Sequence, residues 1–257
     1  MKLNYQESGH GTPLVFIHGL SDDLIFWDPI IPELSKHYHT LAIDLRGHGK
    51  SPKPETPYSI KIFSEDVYNF LKSQKIEKAH LIGFSMGGAI AQQIALKHPE
   101  MVFSLVLMSS FSFLDSNLKH KLQSLKNSLI NGGFDSFFDE MLPLAIKPQL
   151  IQQNKSLLVE VKKLKIKTES VSAIINSIDA CLDFNIKPDL NKILKPVLIV
   201  SGEDDSLINQ DMAEKTNKLI KYSKLKFIEN TAHNILIPQN IPEIQNILLD
   251  FLTSIKK

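Results

Sequence analysis

Ser85 stands at the centre of Gly83-Phe84-Ser85-Met86-Gly87, a Gly-x-Ser-x-Gly pentapeptide. A serine hydroxyl is a weak nucleophile at neutral pH. A chain that uses one must supply a base, an acid to orient the base, and donors for the oxyanion that forms on attack. The flanks of the pentapeptide suit that use. The apolar run from Ala79 to Ile82 leads into it, and a helix-periodic segment leaves it and stops at Pro99. Strand, tight turn with serine at its apex, then helix is the arrangement of a nucleophile elbow, which exposes the serine Oγ above the end of a sheet. Glycine at both ends of the turn lets the backbone approach closely where a side chain would clash.

The chain has nine histidines. In this architecture the base follows the nucleophile and the acid in chain order. His233, in Asn230-Thr231-Ala232-His233-Asn234, follows the last strand-like run and precedes the last helix, so it is the predicted base. His80 lies inside the elbow strand and reads as packed on a sheet face. His98 ends the elbow helix, where a cation suits the helix dipole. His10, His37, His39 and His120 read as surface residues. The acid is expected after the run ending at Val200, in Ser201-Gly202-Glu203-Asp204-Asp205-Ser206. Asp205 is the first choice and Asp204 the second. The backbone amides of Met86 and of Leu20, in His18-Gly19-Leu20, are the predicted oxyanion donors. His18 reads as shaping its loop through ring hydrogen bonds rather than as a base. Arg46 is the only arginine among 29 basic residues. Its planar five-donor fork suits tying a loop to a carboxylate, which lysine does poorly.

The elements that must position these residues follow a clear order. Residues 2–7 alternate like an edge strand. Runs at 14–17, 40–44, 79–82, 104–108, 196–200 and 225–228 read as buried strands. Helices are predicted over 24–36, from Ser59 onward, after the elbow, and near 210–222 and 242–254. Alternating strand and helix imply right-handed crossovers and a mostly parallel sheet, of about eight strands, with helices on both faces. From 111 to 183 no strand is expected. Helical patterns there, near 115–130, 134–141, 149–166 and 169–182, read as an inserted helical cap. Residues 1–110 and 184–257 then form the core domain. Phe84, Phe111, Phe113 and Met141 are the predicted apolar lining of a substrate pocket. The lysines at 147, 155, 162, 163, 165 and 167 read mainly as a solvated helix face, or alternatively as an attraction for an acidic substrate.

The bulk numbers set limits. The chain has 257 residues, 43% apolar and 22% charged, which describes an ordinary globular protein. A net charge of +1 gives no reason to expect nucleic acid as a partner. Cys181 is the only cysteine, so no intrachain disulfide forms. The polar N-terminus lacks the apolar core of a secretory signal, and no run is long enough to span a membrane. A cytoplasmic monomer or homodimer is the default expectation.

Taken together, His18-Gly19, Asp44-x-Arg46-Gly47-His48-Gly49-x-Ser51, Gly83-x-Ser85-Met86-Gly87-Gly88, Gly202-x-x-Asp205 and His233 resemble the α/β-hydrolase superfamily, in its branch with a serine nucleophile and a cap. Within it the chain is most similar to 3-oxoadipate enol-lactonases, small carboxylesterases and cofactor-free haloperoxidases. The Gly202-x-x-Asp205 spacing favours Asp205 over Asp204. The usual glycine before the histidine is Ala232 here. The resemblance implies a small-molecule ester or lactone as substrate and no metal or organic cofactor. It also admits two alternatives on the same triad: a small-molecule receptor with slow residual hydrolysis, and a lyase of the hydroxynitrile-lyase type.

Overall fold

The computed structural model describes residues 1–255. Its centre is a seven-stranded sheet rather than the eight expected, in the order β1-β3-β2-β4-β5-β6-β7. The strands are β1 (Tyr5–Ser8), β2 (Pro13–Ile17), β3 (His39–Ile43), β4 (Ala79–Phe84), β5 (Val102–Met108), β6 (Val197–Gly202) and β7 (Ser223–Ile228). Only β1 runs antiparallel, against β3; the others are parallel. β2 shows why continuous apolar runs become central strands. Val15 and Ile17 face one core cluster, and Leu14 and Phe16 face the other. A sheet covered on both faces leaves no side of such a strand for polar residues.

The helices are α1 (Ile31–Leu34), α2 (Ile60–Ser73), α3 (Met86–Lys97), α4 (Ser116–Ala145), α5 (Pro148–Gln153), α6 (Lys155–Thr168), α7 (Val171–Leu182), α8 (Gln210–Leu219) and α9 (Ile241–Ser254). Apolar residues of α2, α3 and α8 join the first cluster, and those of α1 and α9 the second. The helix expected over 24–36 is instead a 3-10 turn at Leu24–Trp27 followed by the four-residue α1. Pro29 and Pro32 account for the break. Proline has no N–H to donate, and it disfavours helical backbone in the residue before it. Between β5 and β6 the chain is helical apart from its turns, α4 to α7, and α4 bends at Gly133, whose φ is +65°.

α2 ends in a left-handed residue that is not glycine. Lys75 has φ +57°, and the Ile76 N–H donates to Leu71 O at 3.0 Å, closing the helix end. A side chain in this backbone region costs about 1–2 kcal/mol. Glycine would remove that strain but is more disordered when unfolded. Lys75→Gly is therefore expected to raise Tm by about 2–4 °C, measured by thermal denaturation. A lowered Tm would contradict the assignment of strain to this cap.

Candidate active site

The sheet order reverses between β2 and β4. From β2 the chain moves to β3 on one side, and it returns to β4 on the other. Ligands of open α/β sheets bind at such a switch, beyond the carboxyl ends of the strands. Register places Ile17 beside Gly83. The loop after β2 and the turn after β4 therefore leave the sheet side by side.

Ser85 has φ +50° and ψ −116°, a strained backbone for a side chain-bearing residue. Strand and helix hold it from both ends. Its N–H donates to Met108 O at 2.9 Å, and its carbonyl accepts from Ser110 Oγ at 2.8 Å. The glycines serve close approach. A Cβ on Gly83 would overlap the backbone of Gly87 and Gly88, and one on Gly87 would overlap the Ile17 carbonyl.

Three side chains from three loops then meet. His233 Nε2 lies 3.1 Å from Ser85 Oγ, and His233 Nδ1 lies 2.8 Å from Asp205 Oδ2. The other Asp205 oxygen accepts from the Leu207 and Ile208 amides at 2.8 and 2.9 Å. A carboxylate so placed only accepts, so Nδ1 of His233 carries the proton and Nε2 is left to accept from the serine hydroxyl. Of the two aspartates left open by residue type, Asp205 reaches the histidine. Asp204 sits at the surface, 2.7 Å from Lys147 Nζ.

The neighbouring histidines are structural in their contacts. The His18 ring accepts from the Leu45 N–H at Nε2 (3.0 Å) and donates from Nδ1 to Gly19 O (2.8 Å). Burial lowers its pKa to about 4, so it is neutral at physiological pH. His48 donates from Nδ1 to Arg46 O at 2.9 Å, and burial lowers its pKa to about 3. His80 is buried in the sheet with Nδ1 2.8 Å from Ser104 Oγ, and the His98 ring stacks on Tyr68 at 3.8 Å. Arg46 Nε donates to Asp66 Oδ2 at 2.6 Å, and its guanidinium lies 5.5 Å from the Tyr58 ring centroid. It ties α2 to the loop after β3 and does not line the cavity.

Ser85 and His233 open into a cavity whose wall is mostly apolar. Phe84, Phe111 and Met141, three of the four expected pocket residues, line it, and so do Leu20 and Met86. Phe113 does not. It is buried elsewhere, with Lys187 Nζ 4.9 Å from its ring centroid. No lysine or arginine is among the lining residues described. The lysines of 147–167 go to other uses. Lys147 pairs with Asp204, Lys162 with Asp135 and Asp139, and Lys165 with Asp23 and Glu169. Sequence reading missed eleven of the lining residues, among them Ser21, Asp22, Cys181 and Asn234. Burial pushes the Cys181 thiol up to about 12, which keeps it protonated and unreactive. Asp22 stands two residues beyond Leu20, and that nearness was its available signal.

The resemblance extends to known proteins. The chain is 27% identical to 2-(acetamidomethylene)succinate hydrolase of Mesorhizobium japonicum, over 84% of this chain and 80% of that protein. It is 27% identical to pimeloyl-[acyl-carrier protein] methyl ester esterase of Aeromonas hydrophila, over 95% of this chain and 98% of that one. The structure of an enol-lactonase from Burkholderia xenovorans LB400 superposes with a TM-score of 0.91 at 23% identity, covering 98% of this chain and 96% of the other. Those two relatives are hydrolases by name, and the lactonase shares the fold. Residues 12–239 match the family described as the alpha/beta hydrolase fold, and the chain belongs to that family.

Proposed function

We propose that this hydrolase cleaves carboxylic esters or lactones through an acyl-enzyme on Ser85. The observation that carries the reading is the continuous hydrogen-bond chain Ser85–His233–Asp205 at the wall of an apolar cavity. Ser85 Oγ attacks the ester carbonyl carbon, and His233 Nε2 takes the hydroxyl proton. Asp205 holds the ring and stabilises the imidazolium. The amides of Leu20 and Met86 receive the developing oxyanion, the latter at the N-terminus of α3 where the helix dipole adds to it. Collapse of the tetrahedral intermediate breaks the bond to the alcohol oxygen, which leaves with the proton from His233. Water then attacks the acyl-enzyme with His233 as base, and Ser85 regains its proton as the acid departs. Residues 111–183 act as a cap that covers the cavity, and the wall of leucines and phenylalanines suits small to medium apolar acyl groups.

The test uses a fluorophosphonate, which forms a stable adduct with an activated serine. One adduct per chain is expected, on the peptide that contains Ser85, located by mass spectrometry. Hydrolysis of an ester and lactone panel should disappear in step with labelling. Labelling at another residue, or full turnover in the labelled protein, overturns the reading.

A further inference from the structure

The cavity wall carries one carboxyl group that the chemistry above does not use. Asp22 lines the same cavity as Ser85 and His233. It stands two residues beyond Leu20, on a turn made by Ser21, whose φ is +58°, and closed by the Asp22 N–H donating to Gly19 O at 3.4 Å. A Cβ on Gly19 would lie 2.9 Å from the Phe84 ring and 3.1 Å from Asp22 Oδ2. Gly19 is therefore flanked by the Phe84 ring and the Asp22 carboxyl, and the Phe84 ring centroid is 5.1 Å from that of His233.

Asp22 shares its nearby cation with two other carboxyl groups. Lys165 is the nearby cation, and an ammonium has three N–H donors. They reach Ser21 O at 3.2 Å, Asp23 Oδ2 at 3.0 Å and Glu169 Oε1 at 3.0 Å. One ammonium thus already serves two carboxyl groups. The second Glu169 oxygen is buried with no hydrogen-bond partner among the described residues, so the patch is short of donors. An ionised Asp22 would find no ammonium hydrogen left to pair with, which raises the cost of its charge in this half-buried position. Burial raises the Asp22 pKa to about 7; Asp23 and Glu169 push it up, and Lys165 and His233 pull it down.

We propose that Asp22 sets the charge specificity of this site: the cavity takes uncharged esters, and it excludes carboxylate-bearing ones as Asp22 ionises. The inference rests on the ester-hydrolase reading above. While protonated, Asp22 is a hydrogen-bond donor that a substrate oxygen can meet. Once ionised it is an unpaired anion on the wall that an anionic substrate must approach. Unit charges within about 10 Å, at an effective dielectric of about 20, repel enough for a tenfold discrimination or more.

The test compares kcat/KM for matched neutral and anionic esters between pH 5.5 and 9. One pair is p-nitrophenyl butyrate and mono-p-nitrophenyl glutarate, with the charge on the acyl side. The other is 4-acetoxybenzamide and 4-acetoxybenzoate, with the charge on the leaving group. Within a pair, the pH dependence of the shared chemical step cancels in the ratio. In the wild type the preference for the neutral ester is expected to rise about tenfold or more with pH, half-way near 7, for at least one pair. Asp22→Asn, a neutral shape mimic, is expected to hold the low-pH ratio throughout. The wild-type profile needs no variant, so a poorly folding D22N does not spoil the test. Hydrolysis of all four esters with pH-independent wild-type ratios, or a D22N ratio that rises as the wild-type one does, overturns the assignment. If neither neutral ester is cleaved, the ester-hydrolase reading fails and this assignment falls with it.

Discussion

Ser85→Ala is expected to lower kcat/KM for a short p-nitrophenyl ester by about 10⁴- to 10⁶-fold. The size of the loss follows from how the site is built. His233 and Asp205 are aligned to serve one atom, Ser85 Oγ, and without it neither has a proton to move. What survives is binding in the cavity and the proposed oxyanion amides. Stability should hardly change. The backbone bonds of residue 85, to Met108 O and from Ser110 Oγ, do not involve its hydroxyl. The measurement is initial-rate kinetics beside a thermal melt of the same preparation. Turnover within tenfold of the wild type, in a variant with unchanged Tm, would rule out Ser85 as nucleophile.

Gly87→Ala is expected to damage both the fold and the reaction. The new methyl would overlap the Ile17 carbonyl and lie 2.6 Å from the His18 carbonyl oxygen. Both are backbone atoms at the end of β2, so no side chain can swing aside. Either α3 retreats or the loop holding Leu20 moves. Overpacking of this kind costs about 1–3 kcal/mol. A displacement near 1 Å between the two oxyanion amides costs about 10²-fold in kcat. Denaturant unfolding should show a lower midpoint, and kcat should fall more than KM rises. A variant as stable and as active as the wild type would mean that the elbow and the β2 loop are not in the contact described.

Much of this site is legible in the residues. The elbow announces itself through an apolar run, a glycine-flanked serine and a helix in immediate succession. His233 stands out because it lies between the last strand and the last helix. The run of acids fixes the residue class, with Asp205 the first choice and Asp204 the second. The structure separates them through two backbone amides that hold Asp205, and through a lysine 57 residues away that holds Asp204. The lysines of the helical segment mislead for the same reason. Lys165 reads as surface, yet it reaches Asp23, 142 residues earlier. Phe113 is as apolar as Phe111, and the direction each ring takes is set by packing that periodicity does not encode. Asp22 escapes notice because aspartate in a short turn beside serine and glycine reads as a turn former. The helix at 24–36 breaks at Pro29 and Pro32, whose interruption is already visible in the sequence.

The bond from Ser85 to His233 joins residues 148 positions apart, and everything between them must be in place before it closes. Long-range pairing of this kind is slow, because ordering the intervening chain precedes the contact that rewards it. The nucleophile is synthesised first and its base near the end. A nascent chain still lacking β7 carries a serine with no partner and is chemically silent. The cell is thereby spared an active hydrolase that has not finished folding.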